Sequence, residues 1–172
     1  MKKNATYFSL AIITMACAIL VSCNSNNSNP EPEPPVPTPA VKADVEYGIP
    51  DLYELHLLAN VSITYIDATG KLLTENLAST PWSKEIKGIT PPFTAKMTLT
   101  FKRKTDIKYN KSYKIGSGYS LLYKRGSDKG YSILNGSAIS SSLSISSQKI
   151  EAMLTKLEAT PKTYTLAVPI LK

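Results

Sequence analysis

Between Phe93 and Arg103 apolar and polar residues alternate without a break, and no other stretch restricts the fold as strongly. Phe93, Ala95, Met97, Leu99 and Phe101 fall on one side; Thr94, Lys96, Thr98, Thr100 and Lys102 fall on the other. A period of two over that length is a β-strand with one buried face and one face in water. The same logic, with shorter runs, predicts strands over Leu52–Leu58 and Val61–Ile66. Asp67-Ala68-Thr69-Gly70 supplies a turn, after which Lys71–Glu75 returns as the second arm of a hairpin. Tyr119, Leu121 and Tyr123 share one face of a strand. The turn Arg125-Gly126-Ser127-Asp128-Lys129-Gly130 follows, with Tyr131–Leu134 as the return. Gly116-Ser117-Gly118, just before that strand, reads as a turn or bulge. Ile139, Ser141, Leu143 and Ile145 line one face of a serine-rich strand, and Tyr164, Leu166 and Val168 do so near the C-terminus.

One helix interrupts the strands. Ile150, Met153, Leu154 and Leu157 sit at i, i+3, i+4 and i+7, a single apolar stripe. Ser146 or Ser147 is placed to cap its start, and Thr160-Pro161 ends it. Such a helix is expected to cover one edge or end of the sheet core. Residues 43–172 suffice for one domain and are too few for two. The expected class is mainly β: an antiparallel two-sheet sandwich with one short amphipathic helix near the C-terminus. A small closed β-barrel is the alternative.

The first residues have a different task. Lys2 and Lys3 precede an apolar run from Phe8 to Val21, the layout of a secretory signal. The run is shorter than the ~20 apolar residues of a membrane span. It ends in Leu20-Val21-Ser22-Cys23, which resembles the lipobox of bacterial lipoproteins. That resemblance implies cleavage after Ser22, a diacylglyceryl thioether on Cys23 and an acylated new N-terminus. Several acyl chains hold a protein stably on a membrane where one binds reversibly. Thr14-Met15-Ala16 before Cys17 fits such a site poorly. With residues 1–22 removed, Cys23 is the sole cysteine, so no disulfide forms within the chain. Residues 23–42 then read as the lipidated cysteine and a tether, polar at first and proline-rich from Pro30. A tether of this composition is expected to be disordered and extended, reaching up to ~60 Å at roughly 3 Å per residue. Asn24 is not the Asp that retains lipoproteins at the inner membrane, so the outer membrane is expected. The acidic cluster that marks surface display in the Bacteroidetes is absent from residues 24–29.

Val61-Ser-Ile-Thr-Tyr-Ile-Asp-Ala-Thr-Gly-Lys71, Ser79-Thr-Pro-Trp-Ser-Lys84 and Tyr113-Lys-Ile-Gly-Ser-Gly-Tyr-Ser120 together resemble a family of small, uncharacterised Bacteroidetes lipoproteins of the Bacteroides type. The resemblance implies an immunoglobulin-like β domain and brings no activity with it.

The inventory argues against catalysis. His56 is the single histidine, read here as the solvent-facing residue of a strand between Leu55 and Leu57. No serine sits in a nucleophile elbow. No His, Cys, Asp or Glu cluster has metal-ligand spacing, and no cofactor is expected. Trp82 is expected as a core anchor.

Charge is more informative. The chain carries +7, and loss of Lys2 and Lys3 leaves +5. Residues 102–129 hold nine basic residues against two acids, a local balance of +7. Lys108, Tyr109, Lys111, Tyr113, Lys114, Tyr119, Tyr123, Lys124 and Arg125 are the candidate ligand-binding set. Cations attract polyanions, and tyrosine offers a flat face with a hydroxyl. The expected role is a non-catalytic, membrane-anchored envelope module that binds an acidic glycan or another envelope protein, not nucleic acid. A glycan-processing enzyme with paired carboxylates and a subunit of a surface assembly are the alternatives.

Overall fold

The computed structural model describes residues 39–171. The expected secretory segment, Cys23 and the first part of the expected tether lie outside the described residues. Eight strands are laid down in chain order: β1 (Ala43–Ile49), β2 (Ala59–Ile66), β3 (Leu72–Asn76), β4 (Trp82–Ile89), β5 (Phe93–Arg103), β6 (Tyr113–Arg125), β7 (Gly136–Ile145) and β8 (Lys162–Val168). Two α-helices, α1 (Leu55–Leu58) and α2 (Ile150–Ala159), stand between them. The strands form two four-stranded sheets, ordered β4-β1-β6-β7 and β3-β2-β5-β8. Every pairing is antiparallel. The chain is therefore a mainly β sandwich rather than a closed barrel.

Strand β5 spans the alternating segment expected from the sequence. Met97 stands opposite both Tyr65 of β2 and Tyr164 of β8, and Leu99 opposite Ile63. Ala95, Met97 and Leu99 are buried beneath the facing sheet, where Val45, Tyr47, Ile49 and Leu121 complete the core. The Tyr47 hydroxyl crosses between the sheets and donates to the Ile66 carbonyl at 2.9 Å. A second apolar cluster of Leu58, Tyr113, Ile145, Ile150 and Leu154 seats α2 over one end of the sandwich. Arg103 fastens that helix from outside. Its Nε donates to Glu158 at 2.6 Å, its Nη2 to Thr155 at 2.9 Å, and its Nη1 to Glu151. Its backbone N–H also donates to Glu158, at 2.8 Å.

Several expectations are corrected. Leu52–Leu58 is not a strand: Leu52, Leu55 and Leu58 turn inward at three-residue spacing, and the last four residues make α1. His56 accordingly sits on a helix. Tyr131–Leu134 does not return as a strand. Tyr131 leaves to donate to Glu85 at 2.9 Å, a single 3₁₀ turn follows, and pairing with β6 resumes at Gly136. Gly116 and Gly118 lie inside β6, because neighbouring backbone passes too close for a side chain. A Cβ on Gly116 would strike the Asp51 carbonyl, and Gly118 at φ 146° would meet the Ile139 carbonyl. Ser146 holds the position before the helical segment but makes no side-chain capping bond. Lys42, expected at the end of the tether, is packed on the domain: its carbonyl accepts from Gly126 and its ammonium reaches Thr90. Strands β1 and β4 had no sequence assignment.

Candidate functional site

The structure does not gather the candidate basic set onto one surface. Successive residues of β6 alternate between faces. Leu121 and Tyr123 lie opposite Tyr47 and Val45 and point to the core, so Tyr113 and Tyr119 share that inward side. Lys114 and Lys124 take the outward side, ten residues apart on the strand and so separated by about 33 Å at roughly 3.3 Å per residue. Tyr113 is buried and donates to the Lys108 carbonyl at 2.9 Å. Tyr119 stacks on Tyr164, centroids 3.8 Å apart, and reaches Ser137. Tyr123 packs half-buried against the core. Tyr109 donates to Glu151 at 2.9 Å.

The cations have their own commitments. Lys111 lies 3.4 Å from Glu54 and over the Tyr113 ring; Lys114 lies over the Tyr53 ring. At the far end Lys124 is enclosed by Asp44 at 3.8 Å, Glu85 at 3.4 Å and the Tyr131 ring. Arg125 is exposed beyond it. These contacts hold the loops around β6 in place, and they consume much of the positive field that the sequence displays.

The acids are equally engaged. Backbone N–H donation from Lys114 holds the Glu54 carboxyl below its usual range. Glu75 is held low by the Tyr65 hydroxyl, Glu85 by Lys87 and Tyr131, Glu151 by Arg103 and Tyr109, and Glu158 by the Arg103 backbone and guanidinium. Asp67 is held low by the Thr69 hydroxyl and the turn N–H groups. A carboxylate with a lowered folded pKa contributes stability that is complete above its unfolded value, ~4.3 for Glu, and is lost as pH falls below it. The urea midpoint is therefore expected to stay level from pH 7 to about pH 5 and then fall steadily toward pH 3. A midpoint unchanged at pH 3 would show these contacts to be without net effect.

Two adjoining grooves lie where β3 parts from β2. The larger, about 670 Å³, is lined by His56, Asn60, Ser62, Asn76, Thr100, Phe101, Lys102 and Lys104 among others, with no acid. The smaller, about 220 Å³, shares His56, Val61 and Leu77 with it and adds Asp51, Tyr53 and Thr80. His56 has its Nδ1 2.6 Å from the Tyr53 carbonyl, which can only accept, so Nδ1 is the donor in this contact. Tyr53 itself has a positive φ of 53°, held by the Asp51 carboxylate on its N–H at 2.7 Å. A third, shallow depression of about 340 Å³ lies between Trp82 and Ile139, and an apolar slot of about 110 Å³ opens under Tyr164. None of these four is lined by two carboxylates. Among the described residues no group of three His, Cys, Asp or Glu is placed to hold a metal ion.

A different surface was hidden from sequence reasoning. Strand β7 closes its sheet and pairs only with β6, leaving one edge free over ten residues. Ile139 and Leu143 lie opposite Tyr119 and Ile115 and so face the same way as those core residues. Yet they are 55% and 61% exposed. Comparison with protein-family models and with curated proteins finds no match to this chain. No helix among the described residues is long and apolar enough to cross a membrane.

Proposed function

We propose that this chain is a lipid-anchored lipoprotein of the bacterial outer membrane whose sandwich binds a partner protein and transforms no substrate. The observation that supports this reading is the open edge of β7. Native sheets protect long edges with charge, proline or bulges. Gly136–Ile145 contains no charged residue and no proline, and its pairing with β6 runs without a bulge. It presents a free row of backbone donors and acceptors beside two uncovered apolar side chains. That combination suits the addition of an extended strand, where backbone bonds supply affinity and alternate side chains supply specificity. A partner strand with apolar residues at alternate positions would cover Ile139 and Leu143.

The test uses the full, lipidated chain in its native cells. A photo-crosslinking residue in place of Ser141 is expected to give one discrete adduct, whereas the same residue at Thr94, on the outer face of β5, gives none. Ile139→Lys with Leu143→Lys is expected to remove that adduct while the protein stays folded, since both side chains are already in solvent. Absence of an adduct at position 141, or an adduct that survives both lysines, would overturn the reading.

A further inference from the structure

We propose that the groove at the corner of β2, β3 and β5 is a binding site for an acidic saccharide, a sugar chain bearing carboxylate or sulfate groups. It is independent of the β7 edge and lies on the other sheet.

The corner arises from an abrupt end to pairing. Strand β3 follows β2 from Ile66 to Ser62. The Leu77 N–H then donates to the Val61 carbonyl at 2.8 Å, and the chain leaves for β4 in the opposite sheet. Strand β5 stays beside β2 as far as Ala59, opposite Arg103. The start of β2 is thus paired on one side and open on the other. The groove wraps around this step, so it draws its lining from both faces of the sheet.

The lining is sorted by chemistry. Asn60 lies opposite Lys102, and Ser62 lies between Thr100 and Asn76, in two adjacent rows across the outer face. The Ser62 hydroxyl donates to Asn76 Oδ1 at 2.9 Å, a bond that does not use the Asn76 amide nitrogen. Carboxamides and hydroxyls both donate and accept, the requirement for vicinal sugar hydroxyls. Val61, Leu77 and Phe101 supply an apolar patch against which a ring's C–H face can rest. Lys102 and Lys104 supply charge. Neither ammonium is held in an ion pair among the described residues, in contrast to Lys84, Lys87, Lys111, Lys124 and Arg103. Glu158 feels the Lys102 charge, but its two oxygens are already bound by Arg103. With no acid in the lining, the field within the groove is positive, and a positive cleft draws in anions. Its volume of about 670 Å³ falls within the ≈ 300–1,000 Å³ of ordinary ligand sites.

The experiment measures binding of the full chain, in detergent, to three probes: heparin oligosaccharides, a galacturonate oligomer and an uncharged glucose oligomer of equal length. The acidic probes are expected to bind and the neutral one to bind at least ten-fold more weakly. Lys102→Gln with Lys104→Gln is expected to weaken the acidic probes ten-fold or more. Asn60→Ala is expected to weaken the galacturonate oligomer about three-fold or more. Lys108→Gln with Lys111→Gln, neither of which lines the groove, serves as the charge-matched control and is expected to change binding less than two-fold. Thermal melts of each variant establish that the fold is intact. No binding of either acidic probe, or equal losses in the groove and control variants, would overturn the proposal. Selectivity between sulfate and carboxylate then tells which anion the groove takes.

Discussion

Replacing Cys23 by serine is expected to abolish fatty-acid labelling and to move the protein from the membrane pellet to the soluble fraction. The argument is one of covalent chemistry. The apolar run from Phe8 to Val21 ends at Leu20-Val21-Ser22-Cys23, and a thioether needs the sulfur that only cysteine provides. Each buried methylene of an acyl chain contributes ~0.8 kcal/mol to membrane binding, so loss of every chain is a change of kind rather than degree. No helix among the described residues is long and apolar enough to cross a bilayer. Cys17→Ser provides the control: the residues before it fit a lipobox poorly, and full labelling is expected. Metabolic incorporation of a fatty-acid probe followed by fractionation reads both outcomes. Undiminished label in Cys23→Ser would remove the lipoprotein assignment, and loss of label in Cys17→Ser alone would transfer it there.

Legibility in the sequence followed the strictness of the local pattern. Strand β5 was readable to the residue because its inner positions are apolar throughout and it lies between two partners. The Asp67–Gly70 turn was readable because its chemistry is local: Asp67 Oδ1 accepts from the N–H groups of Thr69 and Lys71, and Gly70 takes φ 84°. Strand β4 was not, because Lys84 stands on its inner face opposite Tyr47. That lysine reaches across the rim of the sandwich to Glu75 at 3.4 Å, a contact that exists only once the two sheets have met. The α1 segment misled because Leu55 and Leu57 mimic strand alternation, while burial selects Leu55 and Leu58. The basic segment was visible as composition, but β6 carries its lysines to opposite ends and turns its tyrosines inward. Lys102 and Lys104 belong to that segment by sequence. Their proposed partners Asn60 and Asn76 carry no signal until the pairing of β2 with β3 and β5 lays them alongside. The open edge of β7 was invisible for the same reason: Ile139 and Leu143 have the spacing of core residues, and only the folded domain shows β7 at the end of its sheet with both side chains in water.

Tyr65→Ala is expected to be the most damaging single substitution in the domain. Tyr65 is fully buried in β2, its ring 5.4 Å from Tyr47 of β1 and 5.9 Å from Trp82 of β4, both tilted. It is one of two places where aromatic side chains of the sheets meet, the other being Tyr119 on Tyr164. Its hydroxyl donates to Glu75 of β3, and burial together with that carboxylate pushes the phenol up to about 12, so it remains a neutral donor at any physiological pH. Glu75 in turn receives Lys84 at 3.4 Å. Truncation removes the ring from this junction and leaves a cavity, a change that costs ~3–5 kcal/mol for large aromatic residues. Domains of this size have only ~5–15 kcal/mol in total, and this one has no disulfide to fall back on. Tyr65→Phe separates the two contributions. It keeps the ring contacts and loses one hydrogen bond, for an expected cost of ~0.5–1.5 kcal/mol, because Glu75 keeps Lys84 and partial contact with water. Leu72→Ala, at an exposed position on neighbouring β3, is expected to stay within ~0.5 kcal/mol. Urea unfolding of the three variants followed by tyrosine and tryptophan fluorescence gives the ranking. An alanine variant no less stable than the phenylalanine one would mean that the sheets are held together elsewhere, along β5 and β6 rather than at this aromatic junction.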